Sequence, residues 1–414
     1  MSVIVQKFGG TSMKDPGRIM AAAEKAVRES RSGRRVAVVV SAMAGETDRL
    51  LGLANQIDTA GSLRERDMLA AAGEQVSIAL MALAIQKLGH PAVSFTGPQI
   101  DIRTDEGFSK AKIRRIDDTK IQQAFEEGKI VVVAGFQGVT DTQEITTLGR
   151  GGSDTTAVAL AAVLKAERCD IYTDVDGVYA ADPRIVEKPK KIPILSYEEM
   201  LEMASAGAKV LHTRSVQFAA KYKVPLQVLS SYEDKPGTMI IEEVKEMEDV
   251  VVSAITHNVK EAKVTLIGIA DKPGTAAALF QFLAGKNINV DMIVQNVGEK
   301  GAADISFTLE RSDMPYFQKA EDELRSIIHC ERILYDAKIA KVSAVGVGMR
   351  SHAGVASRMF QSLAAKGINI LMISTSEIKI SCVIHEDYTE LAVRSLCEEF
   401  GLQEDQVAVE TANR

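Results

Sequence analysis

Four places in the chain carry residue types suited to holding a charged ligand. The first, Lys7-Phe8-Gly9-Gly10-Thr11-Ser12, follows directly on the strand-like run Val3 to Val5. Two glycines at a strand end let backbone N–H groups approach an anion closely, and a neighbouring lysine adds a point charge. That combination suits a triphosphate, although the spacing is not GxxxxGK[ST] and a Gly-Gly pair alone is more often an ordinary turn. The second, Leu148-Gly149-Arg150-Gly151-Gly152-Ser153-Asp154-Thr155-Thr156, runs straight into an apolar helical segment. Its glycines, an arginine and a Ser-Asp pair expected at the cap make a helix N-terminus ready for a carboxylate or phosphate. A capped helix after a flexible loop is the plain alternative, but Arg150 among three glycines has no structural reason to be there.

The third is Glu74, which shares a helical stripe with Ala70, Ile78, Met81 and Ile85. A carboxylate on an apolar stripe needs a cationic partner, since burying it alone costs several kcal/mol or raises its pKa. That partner is either a ligand ammonium group or a neighbouring Lys or Arg. The fourth, Tyr172-Thr173-Asp174 through Tyr179 to Arg184, leaves a strand into a turn-rich loop, the usual place for ligands in open α/β sheets. Tyr179 and Arg184 would suit a nucleotide base and its phosphates, and Lys209 supplies a further cation, though Asp-Gly and Asp-Pro are also plain turn chemistry.

Up to about residue 240, short β-branched runs alternate with Ala-rich helical segments, the pattern of a mostly parallel sheet sandwiched by helices. Val36 to Val40, Ile130 to Val133 and Asp170 to Tyr172 are nearly continuous in apolar residues, as strands buried on both faces are. Helical spacing covers Ile19 to Glu29, Leu69 to Leu88 and Thr155 to Ala166. The character changes near Asp234-Lys235-Pro236-Gly237, and Glu242 to Glu246 reads as a charged helix or linker. Beyond it, Asp271 to Asn296 and Ser351 to Ser376 align without a gap, with 11 of 26 positions identical, including Gly274/Gly354, Asn289/Asn369 and Met292/Met372. The match continues through turn, helix and following strand, so it marks a duplicated α+β unit. The expected division is 1–240, 262–340 and 341–414, the last with a strand from 249–258 as a candidate to complete it.

A chain of 414 residues with 46% hydrophobic content fills two or three domains. The formal charge of −7 argues against nucleic-acid or membrane-surface partners, which require a concentrated basic patch. The N-terminus enters a β-like run without a signal-peptide pattern, and the expected location is cytoplasmic. Cys169, Cys330, Cys382 and Cys397 form no CxxC pair and have no His at ligand spacing, so neither a disulfide framework nor a resident metal site is expected.

Taken together and in this order, KFGGTS, SAMAGET at 41–47, GRGGSDTTA at 149–157, YTDVDGVYAADPR at 172–184 and GAKVLHTRS at 207–215 resemble aspartate kinases of the amino-acid kinase superfamily. The resemblance spans essentially all 414 residues, because the duplicated tail is similar to the paired ferredoxin-like ACT modules of that family. It implies that Lys7 and Phe8 to Gly10 hold the transferring phosphate of ATP, with Mg²⁺ bound to the nucleotide. Ser41, Thr47 and Ser153 would line the pocket for L-aspartate, Glu74 would take its ammonium group and Arg150 its α-carboxylate. Asp154 would orient Lys7 or the substrate, while Thr173, Asp174, Tyr179, Arg184 and Lys209 would serve ATP. In the tail, Asp271, Gly274 and Gln295, with Asn369 and Thr375 in the second copy, would bind lysine or threonine as feedback effectors. A homo-oligomer joined through the ACT modules is implied, and a separately made regulatory subunit starting near Met247 is a further expectation. The rival readings are a sister kinase acting on another carboxylate or a nucleoside monophosphate, and a non-catalytic amino-acid sensor.

Overall fold

The computed structural model describes residues 1–208, 210–242, 251–298 and 301–404. Lys209 and Met247 therefore lie outside the described residues. The chain forms two units: one of Met1–Val178, Lys191–Ser205 and Lys209–Glu246, the other of Tyr179–Lys190, Ala206–Ala208 and Met247–Arg414.

In the first unit the runs that are apolar at nearly every position become the centre of a sheet. Arg35–Val40 and Ile130–Ala134 are buried almost throughout, which is why they show no alternation. Eight strands lie in the order Ile194–Ser196, Thr238–Ile241, Leu226–Ser230, Arg168–Thr173, Val3–Phe8, Arg35–Val40, Ile130–Ala134, Ala92–Phe95. All neighbours are parallel except Leu226–Ser230 and Thr238–Ile241. Phe8 is in register with both Val40 and Tyr172, so the segments beginning at Gly9, Ser41 and Thr173 leave one edge of the sheet together. That edge, at the carboxyl ends of parallel strands, is where such sheets bind ligands.

The helix Leu63–Lys87 is long and apolar enough to cross a membrane by length and composition, yet it lies in the core of this unit. Ala70, Ile78, Met81 and Ile85 are buried as one stripe, and Met81 and Ile85 pack with Phe8, Val38 and Val132. Glu74 sits in that stripe.

The second unit holds two four-stranded antiparallel sheets. One has the order Val290–Val297, Ala302–Glu310, Glu261–Ala270, Arg332–Asp336; the other Ala254–Asn258, Ile339–Val345, Lys379–His385, Met372–Thr375. The duplication is visible in backbone geometry: helices Thr275–Gly285 and Val355–Ala365 both start from a left-handed glycine, Gly274 at φ 98° and Gly354 at φ 97°. Segment 179–190 also belongs here. Ile255 N–H donates to the Ala180 carbonyl (2.7 Å), Lys190 N–H to the Leu402 carbonyl (2.9 Å) and Glu404 N–H to the Lys188 carbonyl (3.0 Å).

Candidate active site

A cavity of about 1120 Å³ in the first unit gathers most of the residues singled out in the sequence. Lys7, Gly10, Ser41, Thr47, Glu74, Arg150, Ser153 and Asp154 all line it. Lys7 is the penultimate residue of its strand, and its ammonium group pairs with the Asp154 carboxylate at 2.6 Å, both side chains being largely buried. This pair joins the first glycine segment to the second. Gly10 approaches the neighbouring loop closely, since a Cβ there would lie 3.2 Å from the Ala42 carbonyl oxygen.

Glu74 is 2% exposed, and the long helix aims it at the loop after Arg35–Val40. Its Oε1 accepts the Ala42 N–H at 3.0 Å, while Oε2 is buried without a hydrogen-bond partner. Burial pushes its pKa up to about 7, against the opposing pull of the Ala42 N–H. Among the described residues no lysine or arginine pairs with it, so the structural ion pair left open by the sequence is not formed. An unpaired buried carboxylate is costly, and this one faces the cavity.

The helix Gly152–Val163 differs from expectation at its cap. Gly151, not Ser153 or Asp154, is the N-cap, with φ 69° and no side-chain capping bond. The reason is steric: a Cβ at Gly151 would come within 2.4 Å of the His212 side chain, so the loop passes where only glycine fits. Ser153 and Asp154 lie in the first turn instead and face the cavity. Arg150 is exposed, and among the described residues nothing bonds its guanidinium.

Other expected residues lie elsewhere. The Phe8 ring stacks on Tyr172 at 4.6 Å in the core, so its side chain is structural. Thr173 and Asp174 leave the same sheet edge, and the Thr173 hydroxyl donates to Asp174 Oδ1 at 3.1 Å, but neither lines the large cavity. Tyr179 and Arg184 belong to the second unit, where Arg184 pairs with Asp182 at 2.6 Å and holds that carboxyl below its usual range. In the same unit Asp271, Gly274 and Gln295 line a second cavity of about 340 Å³ at the start of helix Thr275–Gly285. Asn369 and Thr375 are exposed positions of the second copy.

The cavity also contains Asp67, Phe136, His212 and Arg214, which the sequence did not single out. Asp67 had a signal, since it precedes Glu74 by seven residues and so shares its helix face. Arg214 lies inside the GAKVLHTRS motif but on no periodic pattern.

Comparison with known proteins agrees with this architecture. The amino acid kinase family matches residues 2–230, and ACT domains match 263–329 and 342–400. An aspartate kinase of Pseudomonas putida is 53% identical over 403 residues, covering 97% of this chain and 98% of its own. Among solved structures, E. coli aspartokinase III in complex with aspartate and ADP in its R-state has a TM-score of 0.81 at 26% identity, covering 96% of this chain and 99% of that one. The same enzyme in complex with lysine and aspartate in its T-state has a TM-score of 0.76 at 27% identity, covering 97% and 100%. With 53% identity along nearly the whole of an aspartate kinase, and an amino acid kinase region followed by two ACT domains, the chain belongs to the aspartate kinase family.

Proposed function

We propose that the chain transfers the γ-phosphoryl group of ATP to the β-carboxylate of L-aspartate, giving 4-phospho-L-aspartate and ADP. The observation that carries this reading is Glu74, buried with one oxygen unpartnered, in the same cavity as Arg150 and the Lys7–Asp154 pair. Glu74 takes the ammonium group and Arg150 the α-carboxylate, which leaves the β-carboxylate to face Lys7. The nucleophile needs no general base, because an aspartate side chain in water titrates at about pH 3.9 and is already ionised at neutral pH. One β-carboxylate oxygen forms a bond to the γ-phosphorus as the bond from that phosphorus to the β,γ-bridging oxygen breaks, and no proton moves. The difficulty is bringing two anions together, and Lys7 with the Gly9-Gly10 amides answers it by stabilising charge on the phosphoryl oxygens. Asp154 holds the Lys7 ammonium in place. Magnesium enters with ATP as part of the substrate. Thr173 and Asp174, with Lys209, serve the nucleotide.

The ACT modules regulate this activity. Lysine or threonine binds the first module with its carboxylate at the turn before Thr275–Gly285 and its ammonium group toward Asp271, and Gln295 completes the site. Asn369 and Thr375 mark the corresponding place in the second module. The exposed Ile293 and Val297 on the edge strand Val290–Val297 support pairing of ACT modules between chains. A regulatory subunit started near Met247 is a sequence-based part of the proposal; a single band at full-length mass in native cells counts against it.

The test is hydroxylamine trapping of acyl phosphate by purified protein with Mg-ATP and L-aspartate, L-glutamate or no amino acid, with and without lysine and threonine. The expected result is aspartate-dependent hydroxamate, suppressed by an effector and abolished in Lys7→Ala with its thermal unfolding retained. No hydroxamate with any amino acid would overturn the catalytic reading, and near-normal turnover in Lys7→Ala would overturn the role of Lys7.

A further inference from the structure

Among the described residues no hydrogen bond or ion pair holds the Arg150 guanidinium, so the backbone before it has the main part in setting where that group stands. That backbone is unusually well held. Asp67 is buried, and its carboxylate accepts four hydrogen bonds, from Ser109 N–H (2.8 Å) and hydroxyl (3.2 Å) and from Thr147 N–H (2.8 Å) and hydroxyl (2.7 Å). Arg214 does the converse: Nη1 donates to the Leu148 carbonyl and Nη2 to the Ala111 carbonyl, both at 2.7 Å. An anion thus takes the donors and a cation the acceptors of the same two segments, 109–111 and 147–148. The segments are also joined directly, by Ala111 N–H to the Thr147 carbonyl at 2.9 Å. Gly149 then passes so close that a Cβ would lie 2.9 Å from the Ser109 carbonyl oxygen. Arg150 follows at once.

Among the described residues neither side chain forms an ion pair, although Asp105 lies near enough to favour the charge on Arg214. The Arg214 acceptors are neutral carbonyls, and burial lowers the pKa of its guanidinium, so the site retains a cation at some cost in desolvation. Charge-assisted bonds are shorter and stronger than neutral ones, and what they hold here is the two residues that end before Gly149-Arg150.

We propose that Asp67 and Arg214 are positioning residues for substrate recognition, acting through the 109–111/147–148 pair to set where Arg150 meets the α-carboxylate of the amino-acid substrate. The inference rests on the reading that Arg150 binds that carboxylate.

The experiment measures KM for aspartate, KM for ATP, kcat and thermal unfolding of the full chain in Arg150→Met, Arg214→Met, Arg214→Lys, Asp67→Asn and the double variant Arg150→Met/Arg214→Met. Arg214→Met and Asp67→Asn should each raise KM for aspartate about tenfold, as misplacement of a binding group does. KM for ATP should stay within about twofold, and Arg214→Lys should fall between, since an ammonium group serves one carbonyl better than two. In the Arg150→Met background, Arg214→Met should add less than about twofold, because a residue that acts through Arg150 has nothing left to position. A fully multiplicative double variant, or equal losses in both KM values and kcat, would overturn the positioning role. So would unchanged KM for aspartate in Arg214→Met and Asp67→Asn while Arg150→Met raises it, and this outcome leaves the role of Arg150 intact. Unchanged KM for aspartate in Arg150→Met overturns that role and the proposal with it. Should Arg214→Met fail to fold, Arg214→Lys and Asp67→Asn decide the matter.

Discussion

Glu74 meets two opposed demands. Its burial favours the protonated form, with a pKa pushed up to about 7, whereas an ammonium ligand needs the ionised form. A carboxyl whose folded-state pKa is raised contributes stability that is fully present below its unfolded value near 4.5 and is lost as pH rises through about 7. The loss amounts to something on the order of 3 kcal/mol. Glu74→Gln should therefore leave the ligand-free protein more stable than wild type at pH 8 and similar at pH 4.5, as measured by urea denaturation. The same variant should bind aspartate at least about tenfold more weakly at pH 8, because the paired charge is gone. In wild type, KM for aspartate should fall as pH rises from 6 to 8, and Glu74→Gln should flatten that profile. A flat wild-type profile with an unchanged KM in the variant would remove Glu74 from the ammonium site.

At the scale of elements, the helix starts show how one local device serves different ends. Gly151 and Gly354 both cap helices in the left-handed region, but their surroundings differ. A Cβ at Gly354 meets nothing within 4 Å, whereas one at Gly151 collides with His212. Gly354→Ala should thus cost only the conformational penalty, about 1 kcal/mol, seen in unfolding of the second unit. Gly151→Ala must also displace the His212 segment or the loop carrying Arg150. It should cost more than about 2 kcal/mol and raise KM for aspartate. Equal costs for the two would show that the approach to His212 relaxes freely.

On the scale of the whole molecule, the two copies of the repeat are joined by more than chain connectivity. Lys341, 3% exposed, extends from the central strand of the second copy to Glu261 at 2.6 Å and to Asp291, both in the first. Burial alone would lower its pKa, but the two carboxylates outweigh that and hold it above the ordinary lysine range. Beside this triad, Met292 of the first copy packs with Ile339, Met372 and Val383 of the second. Lys341→Met should destabilise this unit by about 3–5 kcal/mol, since it leaves the buried Glu261 uncompensated. The double variant Lys341→Met/Glu261→Gln should recover much of that loss, measured as the unfolding midpoint of the regulatory transition. A single variant as stable as wild type would mean that water reaches Glu261.

Features whose cause is local or periodic are legible in the residues alone. Val36 to Val40 and Ile130 to Val133 read as buried strands because nothing but their own side chains is needed to say so. Glu74 stood out because a helix repeats every 3.6 residues, and the duplication stood out because each copy must build the same turn and helix. Which groups meet across distant parts of the chain follows from the folded structure. It put the Ala42 N–H, 32 residues away, on Glu74 in place of a lysine or arginine. Arg214 reached the Leu148 and Ala111 carbonyls across 66 and 103 residues, and such pairings leave no periodic trace. It made Gly151 the cap where Ser-Asp chemistry pointed to the next residues, because a clash with His212 outranks a capping preference worth about 1 kcal/mol. It also assigned 179–190 to the second unit through backbone hydrogen bonds, which any sequence can make and none announces.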